Sequence, residues 1–203
     1  MKRIIQLFTA FAMIASAPAL IHAQGANEAR AQQQISAALP AGVTLADATL
    51  EQIEAAVQSL SETLTADDFA ELSGHIAAAL AAAQPANAAE IAGIIVRRAP
   101  AARRGSVAIA VAANAAVAVQ GQPGASPASA IIRSAATASA GAVPLQTLAQ
   151  AVVNSVPQSA AEVSQALNVQ VTAPSAPVSP PSGTAPVPSE VPAAPVPVPV
   201  PTL

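Results

Sequence analysis

The chain has 203 residues, enough for one domain with appendages, and 56 of them are alanine, with no cysteine, tryptophan or tyrosine. The absence of cysteine excludes disulfide staples and a lipoprotein anchor, and with only two histidines it also excludes the usual zinc sites. Without residues 1–23 the chain carries eleven acidic residues against six arginines, about −5, which excludes the net basic footprint of a general nucleic-acid binder.

Residues 1–23 read as a secretory signal. Lys2 and Arg3 precede an apolar run from Ile4 to Ala17, Pro18 breaks it, and Ile21-His22-Ala23 offers a small residue for cleavage. The expected location is therefore the periplasm or the cell exterior, with no transmembrane span after cleavage. Residues 24–44 follow as an N-terminal helical or linker segment, in which Ile35 and Leu39 stand four apart before Pro40-Ala41-Gly42.

Residues 45–168 form the expected alanine-rich helical domain. Alanine is the best helix former because it loses no rotamer entropy, and a core of Ala, Val, Ile and Leu requires helix axes to lie close together. Leu50, Ile53, Val57, Leu60 and Leu64 recur at 3, 4, 3, 4 spacing, an amphipathic helix that docks on the domain or, alternatively, forms an oligomer seam. Thr49 with Gln52, Thr65 with Asp68, Asn87 with Glu90 and Ser159 with Glu162 each have capping-box spacing. Ser126-Pro127 is expected to open one further helix and Pro144 another.

One pattern returns through the middle of the domain. Ile76-Ala77, Ile91-Ala92 and Leu148-Ala149 each lead through seven residues to a proline, at Pro85, Pro100 and Pro157. Proline lacks an N–H and disfavours helix at the residue before it, so each unit reads as a short buried helix with a hard stop. Ser106 to Val119 alternates valine, isoleucine and alanine like a strand. Alanine is poor in strands and no partner strand is evident, so a central buried helix is expected. Starts near 91, 107, 131 and 148 suggest a two-helix unit returning after about 40 residues. The fold expected is all-α, a compact bundle of six or seven short helices, with a short α-solenoid of helical hairpins as the alternative. Residues 169–203 read as a disordered proline-rich tail, eleven of its last thirty residues being proline, with a polyproline-II reach of about 90 Å.

The catalytic inventory is thin. Glu71 and His75 stand one helical turn apart, an acid-base pair in principle, and Asp67, Asp68 and Glu71 crowd carboxylates into a first turn, where the helix dipole already accounts for acids. No phosphate-binding loop, dinucleotide fingerprint or nucleophile elbow occurs, and no cofactor is implied. Arg97, Arg98, Arg103 and Arg104 gather four guanidinium groups around Pro100 and are the candidate contact for a partner or an anion, or for the acid-only stretch from Asp47 to Glu90. The composite expectation is an exported, non-enzymatic interaction or structural module with a protein or cell-envelope partner. A carrier of a small apolar ligand lined by Ile91, Ile94, Val107 and Val111 is the alternative, and a hydrolase using Glu71 and His75 the weaker one.

Overall fold

A computed structural model describes residues 25–174. The expected signal sequence and the tail beyond Pro174 lie outside the described residues. The described chain is all-α: helix α1 (25–38), α2 (Leu50–Thr63), α3 (Ala66–Ala83), α4 (Ala88–Arg98), α5 (Arg104–Val119), α6 (Ala128–Ala138), α7 (Leu145–Ser155) and α8 (Ala160–Leu167), with single 3-10 turns at Pro85–Asn87 and Pro157–Ser159. Seven of these eight helices lie within 45–168. None of the helices described is long and apolar enough to cross a membrane.

From α2 onward, each helix packs mainly on the next in sequence and on the next but one. The result is two rows, α3, α5 and α7 in one and α2, α4, α6 and α8 in the other. Helices within a row run parallel. Asp67 meets Arg103 and Gly74 meets Ala110 at the same sequence offset, so α3 and α5 keep one register along their length. Ser129 meets Glu162 and Arg133 meets Ala166 with equal regularity between α6 and α8. Helix α1 extends the α3 row in the opposite direction, with Asn27 on Glu71 and Arg30 on Asp68.

A shared burial pattern produces this arrangement. Ile76, Ala77, Leu80 and Ala81 in α3 are buried at positions i, i+1, i+4 and i+5, as are Val107, Ala108, Val111 and Ala112 in α5, and Leu148, Ala149, Val152 and Val153 in α7. Alternating a branched aliphatic with a small residue lets the face of one helix seat in the groove of its neighbours. Helix α5 packs on α3, α4, α6 and α7 and is the central element, although Val117 on its outer edge is 45% exposed. The 3, 4, 3, 4 stripe of α2 is turned inward, with Ile53, Val57 and Leu60 buried and Leu50 and Leu64 packed at the margin, so an oligomer seam through it requires α2 to leave the domain.

The proline stops act as read from sequence, in two forms. Before Pro85 and Pro157, the helix-ending residues Gln84 (φ −133°, ψ 69°) and Val156 (φ −131°, ψ 74°) have nearly the same backbone geometry. Each N–H closes its helix on the residue four back, at 2.8 Å to Leu80 and 2.7 Å to Val152. The prolines then start a 3-10 turn that feeds directly into the next helix. Ahead of Pro100, by contrast, Ala99 is extended (φ −65°, ψ 139°) and a loop separates α4 from α5.

The folded body is longer than the composition implies at both ends. Ala31, Ile35 and Leu39 of the 24–44 segment are buried in the same core as the rest, because their four-residue spacing supplies the apolar face that α3 lacks on its outer side. At the other end Val169 and Val171, within the stretch assigned to the tail, pack against the core.

Glycine marks where the rows close most tightly. A Cβ on Gly74 would lie 2.5 Å from Asn114 Nδ2 and 3.3 Å from the Ala110 Cβ and carbonyl oxygen, and one on Gly93 would lie 2.5 Å from Ser134 Oγ. Gly74→Val therefore forces α3 off α5 and is expected to lower stability by about 2 kcal/mol, a fall in Tm of several degrees by circular dichroism. Gly25→Val, where nothing lies within 4 Å, should leave the melt within a degree or two of wild type; equal melts for the two variants would contradict the close-approach account.

Candidate functional site

The four arginines around Pro100 do not converge. Arg97 and Arg98 occupy the last turn of α4, where cations complement the carbonyl end of the helix, and Arg103 and Arg104 sit at the start of α5. Arg98 Nη2 donates to Glu54 Oε1 of α2 at 2.9 Å, and Arg103 Nη2 meets Asp67 Oδ1 of α3 at 2.6 Å. Both acids belong to the acid-only stretch Asp47–Glu90. These pairs are substantially solvent-exposed and worth about 0–1 kcal/mol each, so they orient neighbouring helices more than they stabilise them. Arg104 donates at 3.4 Å to the Ala99 carbonyl, while its buried Nε has no protein partner.

Arg97 alone of the four faces an open groove. It stands between two depressions on the α2–α4–α6–α8 face. On one side Leu50, Glu51, Glu54 and Glu90 surround Ile94; on the other, between α4 and α6, lie Arg133, Ser134 and Thr137. Parallel helices cannot fill the channel between them when the facing residues are Ala89, Gly93, Ala130 and Ser134, so the small side chains that allow close packing also leave this surface furrowed. The face is mixed in charge: Glu51 and the Arg98-paired Glu54 lie toward α2, Arg133 lies on the α6 side, and Glu90 lines both depressions. Arg133 is held by a 3.2 Å hydrogen bond to the Ala166 carbonyl in the last turn of α8. Sequence reasoning grouped arginines by adjacency and missed Arg133. The parallel register of α4 and α6 brings it beside Arg97.

The carboxylate cluster is taken up by docking contacts. Asp67 pairs with Arg103, Glu71 Oε1 accepts from Asn27 Nδ2 at 2.8 Å, and Asp68 Oδ2 accepts from the Thr65 hydroxyl at 2.6 Å while Asp68 Oδ1 accepts from Arg30. The Thr65 hydroxyl first, and Arg30 second, hold the Asp68 carboxyl below its ordinary range. His75 is half-buried in a separate depression beside Glu28, Asn114 and Val117, and no bond joins it to Glu71. Ile91, Val107 and Val111 are fully buried in the core, and Ile94 is 4% exposed, forming the floor of the α2–α4 groove.

Two of the four expected capping boxes form a cap at their own helix and two do not. The Thr49 and Gln52 pair is reciprocal, and Thr65 Oγ1 accepts from the Asp68 N–H at 3.1 Å. Asn87 and Ser159, however, lie inside the 3-10 turns started by the prolines, with near-helical angles that cannot supply a cap. Helix α4 is instead capped by Ser126, whose Oγ accepts from the Ala89 N–H at 3.3 Å, and α6 by Glu162, whose Oε1 accepts from the Ser129 N–H at 3.1 Å. Both are neighbours across the packing.

No family model, curated protein or solved structure matches this chain.

Because the native carboxylate of Asp68 is the favoured form, its contribution to stability is present above the ordinary aspartate range and is lost as pH falls through the lowered native value. Asp68→Asn should accordingly melt below wild type at pH 7, with the gap closing toward pH 2. A gap independent of pH would show that the loss is steric rather than electrostatic.

Proposed function

We propose that this chain is an exported, non-enzymatic interaction module, built as a short array of helical hairpins and acting in the periplasm or outside the cell. The observation that carries the reading is the furrowed face of mixed charge around Arg97. Arrays of paired helices present such surfaces to extended or complementary partners. Here Glu51 toward α2, Glu90 in both depressions, and Arg97 with Arg133 suit a partner carrying both signs of charge, for which electrostatic complementarity sets register and association rate. The non-enzymatic part rests on the carboxylates, since Asp67, Asp68 and Glu71 are each engaged in a contact between elements or with a capping threonine. The exported part rests on the signal-like residues 1–23, and the proline-rich tail supplies reach.

The test is crosslinked capture from the native envelope fraction with the full chain and with the Arg97→Ala/Arg133→Ala double variant. Capture of a defined partner should fall at least five-fold in the variant and weaken as salt is raised toward 0.5 M, where exposed charges more than a few ångströms apart are screened. Capture that ignores both arginines but disappears when the tail is removed would move the contact to the tail. A hydrolytic activity abolished by His75→Ala would overturn the non-enzymatic reading.

A further inference from the structure

The outer face of α7 carries three amide side chains at four-residue spacing, Gln146, Gln150 and Asn154, on the side opposite the buried Leu148 and Val152. With Pro144, Thr147 and Ala151 they line a shallow groove. After α8 the chain turns at Asn168, which has a left-handed backbone (φ 52°, ψ 43°), and residues 169–172 return alongside Gln146 and Gln150, at the edge of this groove, as a strap outside any helix. Gln150 holds one strap residue, Thr172, by both of its backbone groups. Its Nε2 donates to the Thr172 carbonyl at 2.8 Å, and its Oε1 accepts from the Thr172 N–H at 3.1 Å. Gln146 Nε2 makes a longer 3.5 Å approach to the Gln170 carbonyl.

The pairing has a register. Four residues on α7, from Gln146 to Gln150, match two on the strap, from Gln170 to Thr172. Four helical residues advance about 6.0 Å at about 1.5 Å each, and two extended residues advance about 6.2 Å at about 3.1 Å each, so the two repeats stay in step. Continuing the register sets Pro174 level with Asn154, the third rung, whose Oδ1 accepts from Gln150 Nε2 at 2.9 Å and fixes the orientation of the Gln150 amide. Strap side chains alternate in the matching sense, Val169 and Val171 against the core and Gln170 and Thr172 toward solvent.

We infer that the α7 amide ladder is a binding site for an extended peptide, recognised by its backbone, with valine or a similar branched residue at alternate positions and a free N–H between them. The chain's own residues 169–172 are its resident occupant. One amide side chain offers a donor and an acceptor together, so it reads the N–H and C=O of one residue without regard to its side chain. Backbone bonds then supply affinity and the alternating apolar residues supply selectivity. The N–H requirement separates this ligand from the run Pro195 to Pro201, where every position between valines is proline and has no hydrogen for Gln150 Oε1. The site lies on the row opposite the Arg97 face and stands or falls independently of it.

The experiment uses the full chain with the strap weakened by Val169→Ser and Val171→Ser, and as probe a fluorescein-labelled heptapeptide of residues 168–174, followed by anisotropy. A tethered strap competes at an effective concentration on the order of 1 mM, so the weakened chain should bind the probe at least ten-fold tighter than wild type. Adding Gln150→Ala should reverse that gain, and a probe with proline in place of Thr172 should bind about two- to ten-fold more weakly, the size of one net hydrogen bond. Failure of a weakened but normally melting chain to bind, or binding indifferent to Gln150, would overturn the inference. Should the weakened chain not fold, amide exchange in the otherwise native chain decides: Gln150→Ala should speed exchange at Thr172 at least ten-fold while Val152 is unchanged, and an unprotected Thr172 N–H in wild type would refute a seated strap. A concentration-dependent wild-type dimer lost on Gln150→Ala would assign the groove to the strap of a second copy and overturn the separate-peptide reading.

Discussion

The structure depends on helices approaching at the distance that alanine and glycine allow. Gly74 against Ala110 and Asn114, and Gly93 against Ser134, bring parallel neighbours so close that an added methyl would displace the Asn114 or Ser134 side chain and, at Gly74, press on Ala110. A chain almost without aromatics has few large side chains to fill wide gaps, so it recovers dispersion contacts by shortening the distance between backbones. Other features follow from that spacing. The branched residues of each face are mostly paired with alanine, and α3, α5 and α7 share one burial pattern, with Val153 in α7 the exception to the small partner.

Close parallel packing also decides where polar groups find partners. With neighbouring helix ends brought side by side, a helix is capped as readily by a residue from the adjacent element as by its own. Ser126 serves α4 and Glu162 serves α6 across the row, and Gln84 reaches back to the Leu45 and Ala48 carbonyls ahead of α2 through bonds of 2.7 Å each. Each of these bonds ties one helix to an element distant from it in sequence. Together with the half-exposed ion pairs Arg98–Glu54 and Arg103–Asp67, they hold register between helices, while burial of the aliphatic stripes supplies most of the stabilisation.

The two rows have different surfaces. The depressions around Arg97 on the α2–α4–α6–α8 side are lined by charges of both signs, whereas the groove on α7 is lined by amides and small residues and carries no charge. Contacts between charged groups weaken as salt rises, and contacts of neutral amides with backbone do so much less. The two proposed contacts draw on different residues and would not compete.

Helical class, the proline stops, the inward stripe of α2 and the buried character of α5 were legible in the sequence, because periodicity and the missing N–H of proline act within a few residues of where they are written. Reciprocal capping at Thr49 and Gln52 was legible for the same reason. What the sequence did not reveal was set by contacts between residues distant in the chain. The 24–44 segment became part of the core only because α3 had an uncovered side, and Arg97 gained Arg133 as a neighbour only through the parallel register of α4 and α6. Asn87 and Ser159 lost their expected caps to the 3-10 turns that follow Pro85 and Pro157. The amides of α7 were visible at four-residue spacing, yet only the return of residues 169–172 gave them a backbone to hold. Local chemistry thus determined the elements and where they stop, and tertiary packing decided which polar side chains meet, since a hydrogen bond needs its partners within about 3 Å and sequence spacing fixes that distance only inside a single helix or turn.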